Sequence, residues 1–433
     1  EELPLTPNGK VDRRKLPGVD GDDLVRNEYV GPRNDIERRL VAIWEEVLGL
    51  ERISVTDNFF DLGGHSLLAV QVINKLSKQF NKTISFTVLF ENPTIGALGV
   101  KLEDGTSTYR PIPKAVVMES YPLTPSQRRL WVLSQMDGGS LAYNMPGAVR
   151  LKGSVDGDMF EGSFRRLIAR HEILRTSIRT NQDDTIRQYV LPVDQLHFKM
   201  SREDFSLSSD VEGDVGKYLE EMNGVPFDLE RAPLVSASLI KIAEEEFIFF
   251  LSLHHIIGDG WSMELLISEV IRIYNALSQG EEVDLPELGI QYKDYAVWLE
   301  DELQRERQQS SEKYWLEQFE GELPVLDIPS FTVRPLVRTY SGSSLTHRFQ
   351  PGFLEDLKSF SQDRDVTLFM TLMAGVNTLL YKYTGQRDII VGTPIAGREH
   401  PDLEDQLGIY LNTLAIRTRF DQGSSFLDLL KIQ

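Results

Sequence analysis

The residues from Phe247 to Leu253 form a nearly unbroken apolar run (FIFFLSL) rich in aromatic and aliphatic side chains. Such a run is typical of a strand that is buried on both faces of a sheet. Two histidines, His254 and His255, follow directly at its end. Because clefts form where strands end in α/β proteins, this position brings an imidazole to a candidate cleft. Successive strand residues point to opposite faces, so we expect one histidine to be structural and the other available.

The surrounding region, residues 120–433, alternates between strand-like and helix-like patterns. Helical periodicity covers Ser163–Leu174, Met263–Leu277 and Leu368–Tyr383. A second short buried strand is predicted over Asp388–Gly392. This alternation predicts a layered α/β domain.

Residues 27–103 carry only helical periodicity. Asn34 is a plausible N-cap for the first helix, and a second helix is predicted to begin near Ser66. A short third helix is predicted around Val88–Phe90 and a last one after Pro93. The expected fold of this region is a small bundle of three or four helices.

Two segments lack the residues for a core. Residues 1–26 are short and polar, with prolines and a glycine that mark turns. Residues 104–119 combine turn residues with prolines, which predicts an extended linker of some stiffness.

The composition narrows the class of protein. The 433 residues carry a net charge of −20 at pH 7 and contain no cysteine. The charge argues against nucleic acid and anionic membranes as partners. No apolar run approaches the roughly 20 residues of a membrane span, and no secretory signal opens the chain, so we expect a cytoplasmic protein. Without cysteine there are no thiolate nucleophiles, and thioester chemistry needs sulfur from a cofactor.

Ser66 is a candidate attachment point for a phosphorylated arm. The pair Gly63-Gly64 allows a tight turn, and Ser66 falls at or near the start of a predicted helix. A helix N-terminus presents N–H groups and a partial positive charge, and so tolerates a phosphodiester. The plainer alternative is that Ser66 is only a helix N-cap.

The segment Asp57–Leu68 (DNFFDLGGHSLL) closely resembles the serine motif of peptidyl carrier domains in nonribosomal peptide synthetases. The resemblance extends from YVGPR at 29–33 to FENPT at 90–94, across the whole domain of residues 27–103. It implies that Ser66 carries 4′-phosphopantetheine, which a phosphopantetheinyl transferase attaches.

The histidine pair leaves several chemistries open when it is considered alone. Asp259 lies four residues beyond His255, across a turn at Gly258, and is able to orient the histidine or pair with a cation. A satisfied core histidine beside a turn aspartate is the plain alternative. A metal site is a further one, but no third ligand is evident, and we predict no metal.

The run His254–Ser262 (HHIIGDGWS) matches the signature of the condensation domains of nonribosomal peptide synthetases. Five further stretches agree in family order: Thr124–Trp131, Tyr143–Pro146, Arg170–Thr176, Tyr292–Trp298 and Gly408–Leu414. The resemblance implies a fold of two chloramphenicol acetyltransferase-like lobes in a V. These lobes are expected at 120–290 and 291–433, the second being incomplete.

The condensation resemblance also implies roles for individual residues. His255 is expected to face the tunnel and to act as general base or to position the attacking amine. Asp259 is expected to be structural and to pair with Arg175, or as a second choice with Arg170. Gly260 is expected to let the loop approach the pantetheine arm closely.

The implied reaction is amide formation between a carrier-bound donor thioester and the α-amine of an acceptor on a downstream carrier. His254 and His171 have the plain interpretation of packing residues. The segment Pro7–Lys10 (PNGK) resembles the last motif of an adenylation domain, so residues 1–26 are interpreted as its tail and Lys10 is given no activity. An upstream adenylation domain is therefore an expected partner. No epimerisation domain separates carrier and condensation regions, which favours an L-configured donor.

Two alternatives remain. Epimerisation domains share a His-His-x-x-x-Asp-Gly motif, but Gln127–Trp131 and the YNMP stretch argue against them. A carrier-recruiting platform without catalytic activity is the other. Intact His255 and Asp259 argue against a platform, whereas an incomplete second lobe favours it.

Overall fold

The computed structural model describes residues 29–64, 66–82, 84–104, 110–136, 139–303, 307–330, 342–364 and 366–432. The interpretation of residues 1–26 as an adenylation tail falls outside these ranges. The chain divides into two compact units. The first includes residues 1–113, 288–290 and 398–406, and the second includes 114–287, 291–397 and 407–433.

The described part of the first unit contains four α-helices, which confirms the predicted helical bundle. They are α1 (Asp35–Leu48), α2 (Ser66–Phe80), α3 (Phe86–Glu91) and α4 (Ile95–Asp104). Helix α1 begins as expected, since the Asn34 side chain accepts a hydrogen bond from the Glu37 N–H at 2.8 Å. The bundle core includes fully buried side chains from the helices and from the loop before α2: Leu40, Trp44, Phe59, Leu76 and Leu98.

The first unit also includes residues 110–113 of the predicted linker. The Ile112 N–H donates to Asp402 Oδ2 at 2.9 Å, and His400 Nε2 lies 3.0 Å from the carbonyl oxygen of Arg110. Asp402 lies in a 3-10 turn, Pro401–Leu403. Two side chains of the 398–406 segment thus bind the linker backbone.

The second unit is built from nine strands and ten helices in its described part. The strands are β1 (Tyr121–Pro122), β2 (Asn144–Lys152), β3 (Thr176–Thr180), β4 (Ile186–Val190), β5 (Ser201–Asp204), β6 (Val235–Ala243), β7 (Glu246–His254), β8 (Asp388–Ile395) and β9 (Asn412–Arg419). The helices are α5 (Pro125–Ser134), α6 (Gly139–Ala142), α7 (Gly157–Arg170), α8 (Val211–Asn223), α9 (Gly260–Gln279), α10 (Tyr292–Leu303), α11 (Arg307–Gln318), α12 (Phe353–Gln362), α13 (Leu368–Thr384) and α14 (Phe426–Ile432). The mixture confirms the predicted α/β character.

The strands form three sheets, with orders β2-β7-β6-β5, β1-β4-β3 and β8-β9. Strand β7 is antiparallel to both of its neighbours, and β5 runs parallel to β6. The predicted strands in 247–253 and 388–392 are confirmed as parts of β7 and β8. Phe249 of β7 packs against Phe160 of α7, while Phe250 belongs to the cluster that includes Val215 of α8. Helices therefore cover both faces of β7, which explains its unbroken apolar run.

The helix predicted over Ser163–Leu174 is displaced. Helix α7 starts earlier, because the Asp156 carboxylate accepts hydrogen bonds from the N–H groups of Asp158 and Met159. It ends at Arg170, and His171 adopts an extended conformation. A 3-10 turn over Glu172–Arg175 then leads into β3.

Candidate functional site

The first candidate site is the turn before α2. Gly63 has a φ of +94°, which glycine adopts at little cost. A Cβ on Gly64 would lie 2.4 Å from the Phe59 carbonyl oxygen, which accepts the Gly64 N–H at 2.9 Å. The glycine pair therefore lets the chain fold back on Phe59, and α2 begins at Ser66 as predicted. The first N–H groups of a helix lack intrahelical acceptors, so the backbone here fits a phosphodiester.

The second candidate site surrounds the end of β7. His254 is the last residue of the strand and pairs with Asn144 of β2. His255 opens a 3-10 turn that ends at Ile257, and its N–H donates to the Tyr143 carbonyl at 2.8 Å. The Tyr-Asn-Met-Pro stretch thus comprises Tyr143, which precedes β2, and the first three residues of β2, and it holds the backbone of the histidine pair.

The His255 ring has one fixed nitrogen. Nδ1 lies 2.8 Å from the carbonyl oxygen of Gly258. A carbonyl only accepts hydrogen bonds, so Nδ1 carries the proton and the neutral ring keeps its lone pair on Nε2. The side chain is half-buried. This is the protonation pattern that a general base requires.

The His254 ring is fully buried, and its Nδ1 accepts the Ile256 N–H at 3.1 Å. Burial, helped by the neighbouring His255, lowers the pKa of His254 to about 4. The ring is therefore neutral near pH 7 and fixes the turn. The two histidines differ in exposure as expected, although the strand ends at His254 and His255 belongs to the following turn.

Asp259 is buried and begins α9. Its Oδ1 accepts hydrogen bonds from the Ser262 N–H at 2.9 Å and from the Ser262 hydroxyl at 2.8 Å. Its Oδ2 accepts the Tyr410 N–H at 3.2 Å. Asp259 therefore acts as an N-cap that also binds a distant backbone segment.

The expected pairing of Asp259 with Arg175 is wrong. The Arg175 guanidinium donates to the Leu191 carbonyl at 2.6 Å and lies 3.4 Å from Glu172. Within the described residues, the ion pairs of Arg175 do not include Asp259. Arg175 lies in the 3-10 turn before β3. The spacing of motifs in a sequence does not reveal which side chains such a turn contacts, so the prediction could not identify the partner.

The second choice, Arg170, is also wrong as a partner of Asp259. Its Nε lies 3.2 Å from Glu269 of α9, and its Nη2 donates to the Pro286 carbonyl. His171 Nε2 lies 2.7 Å from the same Glu269 carboxylate. Burial alone would raise the pKa of Glu269, but the hydrogen bond to His171 and the charges of both neighbours lower it. Arg170 and His171 thus anchor the middle of α9.

The surroundings of Gly258 and Gly260 differ, and the approach of the arm to Gly260 stays a prediction. A Cβ on Gly260 would meet no heavy atom within 4 Å. A Cβ on Gly258 would lie 3.1 Å from Leu253 Cδ1 and 3.3 Å from Ser262 Cβ. The close approach within the protein is therefore at Gly258, while the space beside Gly260 is open.

Sequence reasoning missed the contacts of Tyr292 with Thr124 and with residues 408–409, near the turn that follows β7. The Tyr292 hydroxyl lies 2.9 Å from Thr124 Oγ1 and donates to the Ile409 carbonyl at 2.8 Å. Gly408 has a φ of +156°, and a Cβ there would lie 2.0 Å from the Tyr292 ring. These residues lie within recognised motifs, which was the available signal, but a motif does not state which residues touch.

The opening motif of the second unit also contacts this turn. Thr124 and Gln127 form a capping box at the start of α5. The Gln127 side-chain amide donates to the Ile256 carbonyl at 3.4 Å. The motif around Gln127 therefore supports the histidine turn from outside β7.

The described residues show neither a metal site nor a membrane-spanning helix. Among the described residues, no group of three or more histidine and carboxylate side chains is arranged to hold a metal ion. In the same ranges, no helix has the length and apolar character to span a membrane.

Comparisons with known proteins match both units. Residues 117–432 match the family model of the condensation domain, and residues 38–99 match that of the phosphopantetheine attachment site. The chain is 39% identical over 436 residues to gramicidin S synthase 2 of Brevibacillus brevis, covering 99% of this chain and 9% of that protein. It is 42% identical over 431 residues to tyrocidine synthase 3 of Brevibacillus parabrevis, covering 99% and 6%. The chain thus spans less than a tenth of these relatives.

Solved structures show the same fold. The first condensation domain of the calcium-dependent antibiotic synthetase, in complex with a substrate analogue, matches with a TM-score of 0.60 and 24% identity, over 72% of each chain. The X-domain in its complex with OxyB, from teicoplanin biosynthesis, matches with a TM-score of 0.67 and 24% identity, over 76% of this chain and 71% of that one.

Proposed function

Because this chain belongs to the condensation-domain family of nonribosomal peptide synthetases and carries a phosphopantetheine attachment domain, we propose that it forms a peptide bond. The α-amine of an acceptor is joined to the acyl group of a donor thioester. One C–N bond forms, the C–S bond breaks, and the thiol leaves with a proton. The observation that carries this proposal is the hydrogen bond from His255 Nδ1 to the Gly258 carbonyl.

His255 has the central role in the proposed reaction. With Nδ1 protonated, Nε2 accepts a proton from the attacking amine, or accepts a hydrogen bond that orients it. The resulting imidazolium keeps its hydrogen bond to the Gly258 carbonyl and can return the proton to the leaving sulfur. Holding both substrates close together contributes further to the rate enhancement.

Ser66 is the proposed attachment residue, since α2 begins there and its first N–H groups favour a phosphate. The 4′-phosphopantetheine group supplies the thiol that bears the donor as a thioester. The proposed partners are an upstream adenylation domain, a downstream acceptor carrier and a phosphopantetheinyl transferase. An L-configured donor is proposed because only residues 104–119 separate the two predicted domains.

The test uses intact-protein mass spectrometry of the chain, loaded at Ser66 with an aminoacyl-phosphopantetheine and mixed with an acceptor aminoacyl carrier. Loss of the donor with a matching dipeptide on the acceptor is the expected result. Ser66→Ala should prevent loading, and D-configured donors should transfer more slowly than L-configured ones. A donor that loads but never transfers contradicts condensation, and deuterium uptake at Cα without acceptor indicates epimerisation instead.

His255→Ala should load normally and transfer at least about tenfold more slowly, since general bases contribute about 10²–10⁴-fold. His171→Gln is the matched control, because it also changes an imidazole but only in the contact with α9. A His255→Ala chain that transfers at the wild-type rate overturns the role of the imidazole.

A further inference from the structure

Ser262 carries a buried hydroxyl that joins two parts of the chain. Its Oγ lies 2.8 Å from Asp259 Oδ1 and 2.9 Å from the Gly408 carbonyl oxygen. It also accepts the Gly408 N–H at 3.1 Å. A hydroxyl has one proton and two lone pairs, so Ser262 donates to one oxygen at a time while it accepts from Gly408. The side chain is 1% exposed, which makes each of these bonds costly to lose.

Residues 408–410, which we call the crossing segment, are held one by one. Ser262 binds the backbone of Gly408, Tyr292 donates to the Ile409 carbonyl, and Asp259 accepts the Tyr410 N–H. Two of these three side chains belong to the first turn of α9 or its cap. The crossing segment and the start of α9 are therefore fixed to each other.

The start of α9 in turn determines the state of the His255 ring. Gly258, whose carbonyl accepts from His255 Nδ1, immediately precedes Asp259. A peptide group is planar, so the direction of the Gly258 carbonyl depends on where the Asp259 backbone is held. The Asp259 side chain is held by the Ser262 hydroxyl at 2.8 Å and by the Tyr410 N–H of the crossing segment at 3.2 Å.

We propose that Ser262 is a positioning residue for amide formation, which sets the tautomer of His255 by fixing the Gly258 carbonyl. The inference rests on the proposed function, because it matters for transfer only if His255 Nε2 meets the amine. Removal of the hydroxyl frees the Gly258 peptide to reorient. The ring then loses its preference for a proton on Nδ1, and Nε2 is no longer always available as a base.

The test compares Ser262→Ala with Ser252→Ala. Ser252 lies on β7, is also 1% exposed, and its Oγ has no hydrogen-bond partner within the described residues. Its replacement deletes an equally buried hydroxyl without touching the crossing segment. Two measurements are made on each chain: the ring ¹⁵N chemical shifts of His255, and the rate of donor transfer to the acceptor carrier. The His255 signals are assigned by their loss in His255→Gln.

Wild type and Ser252→Ala should both show the Nδ1–H tautomer and equal transfer rates. Ser262→Ala should show a mixture of tautomers and a fall in kcat of tenfold or more, with the KM for the acceptor carrier within twofold. A Ser262→Ala chain with wild-type tautomer and rate overturns the inference. If wild type fails to transfer, the proposed function fails instead, and if His255→Ala transfers normally, the role of the imidazole fails. In both cases the tautomer measurement still tests the structural part.

Ser262→Cys covers the case in which Ser262→Ala does not fold. Cysteine keeps the volume of the side chain but is a weak donor and acceptor. It should give an intermediate tautomer ratio and an intermediate rate. Wild-type values for both would contradict the positioning role.

Discussion

The Nδ1 atom of His255 lies 2.8 Å from the carbonyl oxygen of Gly258. The two residues are separated by a single 3-10 turn, and the backbone of Gly258 is extended, with a φ of −168°. Leu253 and Ser262 occupy the space into which a side chain at Gly258 would project. The Gly258 carbonyl therefore decides which nitrogen of the His255 ring is basic, and Leu253 and Ser262 leave little room for a larger residue at position 258.

Gly258→Ala should lower both stability and transfer. The backbone angles suit alanine, so the effect comes from contacts at 3.1 and 3.3 Å that force Leu253 and Ser262 to shift. Overpacking of this kind costs about 1–3 kcal/mol. Urea unfolding and the transfer assay measure the two effects. A Gly258→Ala chain as stable and as active as wild type would contradict the tight packing.

Gly260→Ala is the matched variant and should separate stability from function. Its Cβ meets nothing within 4 Å, so the free energy of unfolding should stay within about 0.5 kcal/mol of wild type. If the open space accommodates the substrate arm, transfer slows while stability holds. Unchanged transfer would argue that the arm does not use this space.

The buried His254 should make the protein less stable in mild acid. Its pKa is about 4 in the folded chain and 6.5 in the unfolded reference, so the unfolded state binds more protons between these values. Stability present above pH 6.5 is therefore lost as the pH falls toward 4, by about 3 kcal/mol in total. Denaturant unfolding at pH 7 and pH 4.5 measures the loss. A His254→Gln chain should show a flatter dependence, and an equal slope in both would exclude His254 as the cause.

Asp259 and Arg175 should contribute independently to the free energy of unfolding. Asp259→Asn should weaken the bonds from Ser262 and Tyr410, whereas Arg175→Ala affects Leu191 and Glu172. In a double-mutant cycle on unfolding free energy, the coupling should be below about 0.5 kcal/mol. A coupling above 1 kcal/mol, on the scale of about 0.5–3 kcal/mol seen for contacting residues, would restore the ion pair that the sequence suggested.

In the carrier domain, Gly64→Ala should impair loading at Ser66. The new Cβ would lie 2.4 Å from Phe59 atoms, so the turn before α2 must move. Gly99→Ala is the control, because its Cβ makes only ordinary contacts of 3.6 Å or more, and alanine favours the α4 helix. Intact-protein mass spectrometry should show less phosphopantetheine loading in Gly64→Ala and normal loading in Gly99→Ala. Equal loading would mean that the turn tolerates the shift.

The elements that the sequence predicted well are those whose signal is local. The apolar run in β7, the Asn34 cap and the glycine pair before α2 each depend on neighbours within a few residues. The six condensation stretches in order then identify the fold as a whole. The different surroundings of His254 and His255 agree with the expectation from a continued strand, although β7 ends at His254 and His255 opens a 3-10 turn.

The errors concern contacts between distant residues. Ser262 and Gly408 are 146 positions apart in the chain, and nothing in their spacing shows that they bond. Asp259 was expected to pair with Arg175 or Arg170 because the resemblance to condensation domains implies an arginine partner. Among the described residues, its carboxylate accepts hydrogen bonds from the Ser262 hydroxyl and from the N–H groups of Ser262 and Tyr410, contacts that residue types alone do not indicate.

The close fit of Tyr292 and Gly408 bears on how such chains can be recombined. The ring of one fills the volume that a side chain on the other would need. In a chimaera of two related sequences with its junction between residues 292 and 410, the tyrosine comes from one parent sequence and the glycine from the other. Such a chimaera keeps the fit between ring and glycine only if both parents have both residues. Exchanging residues 292–410 as one block preserves the fit, whereas a junction inside this interval puts it at risk.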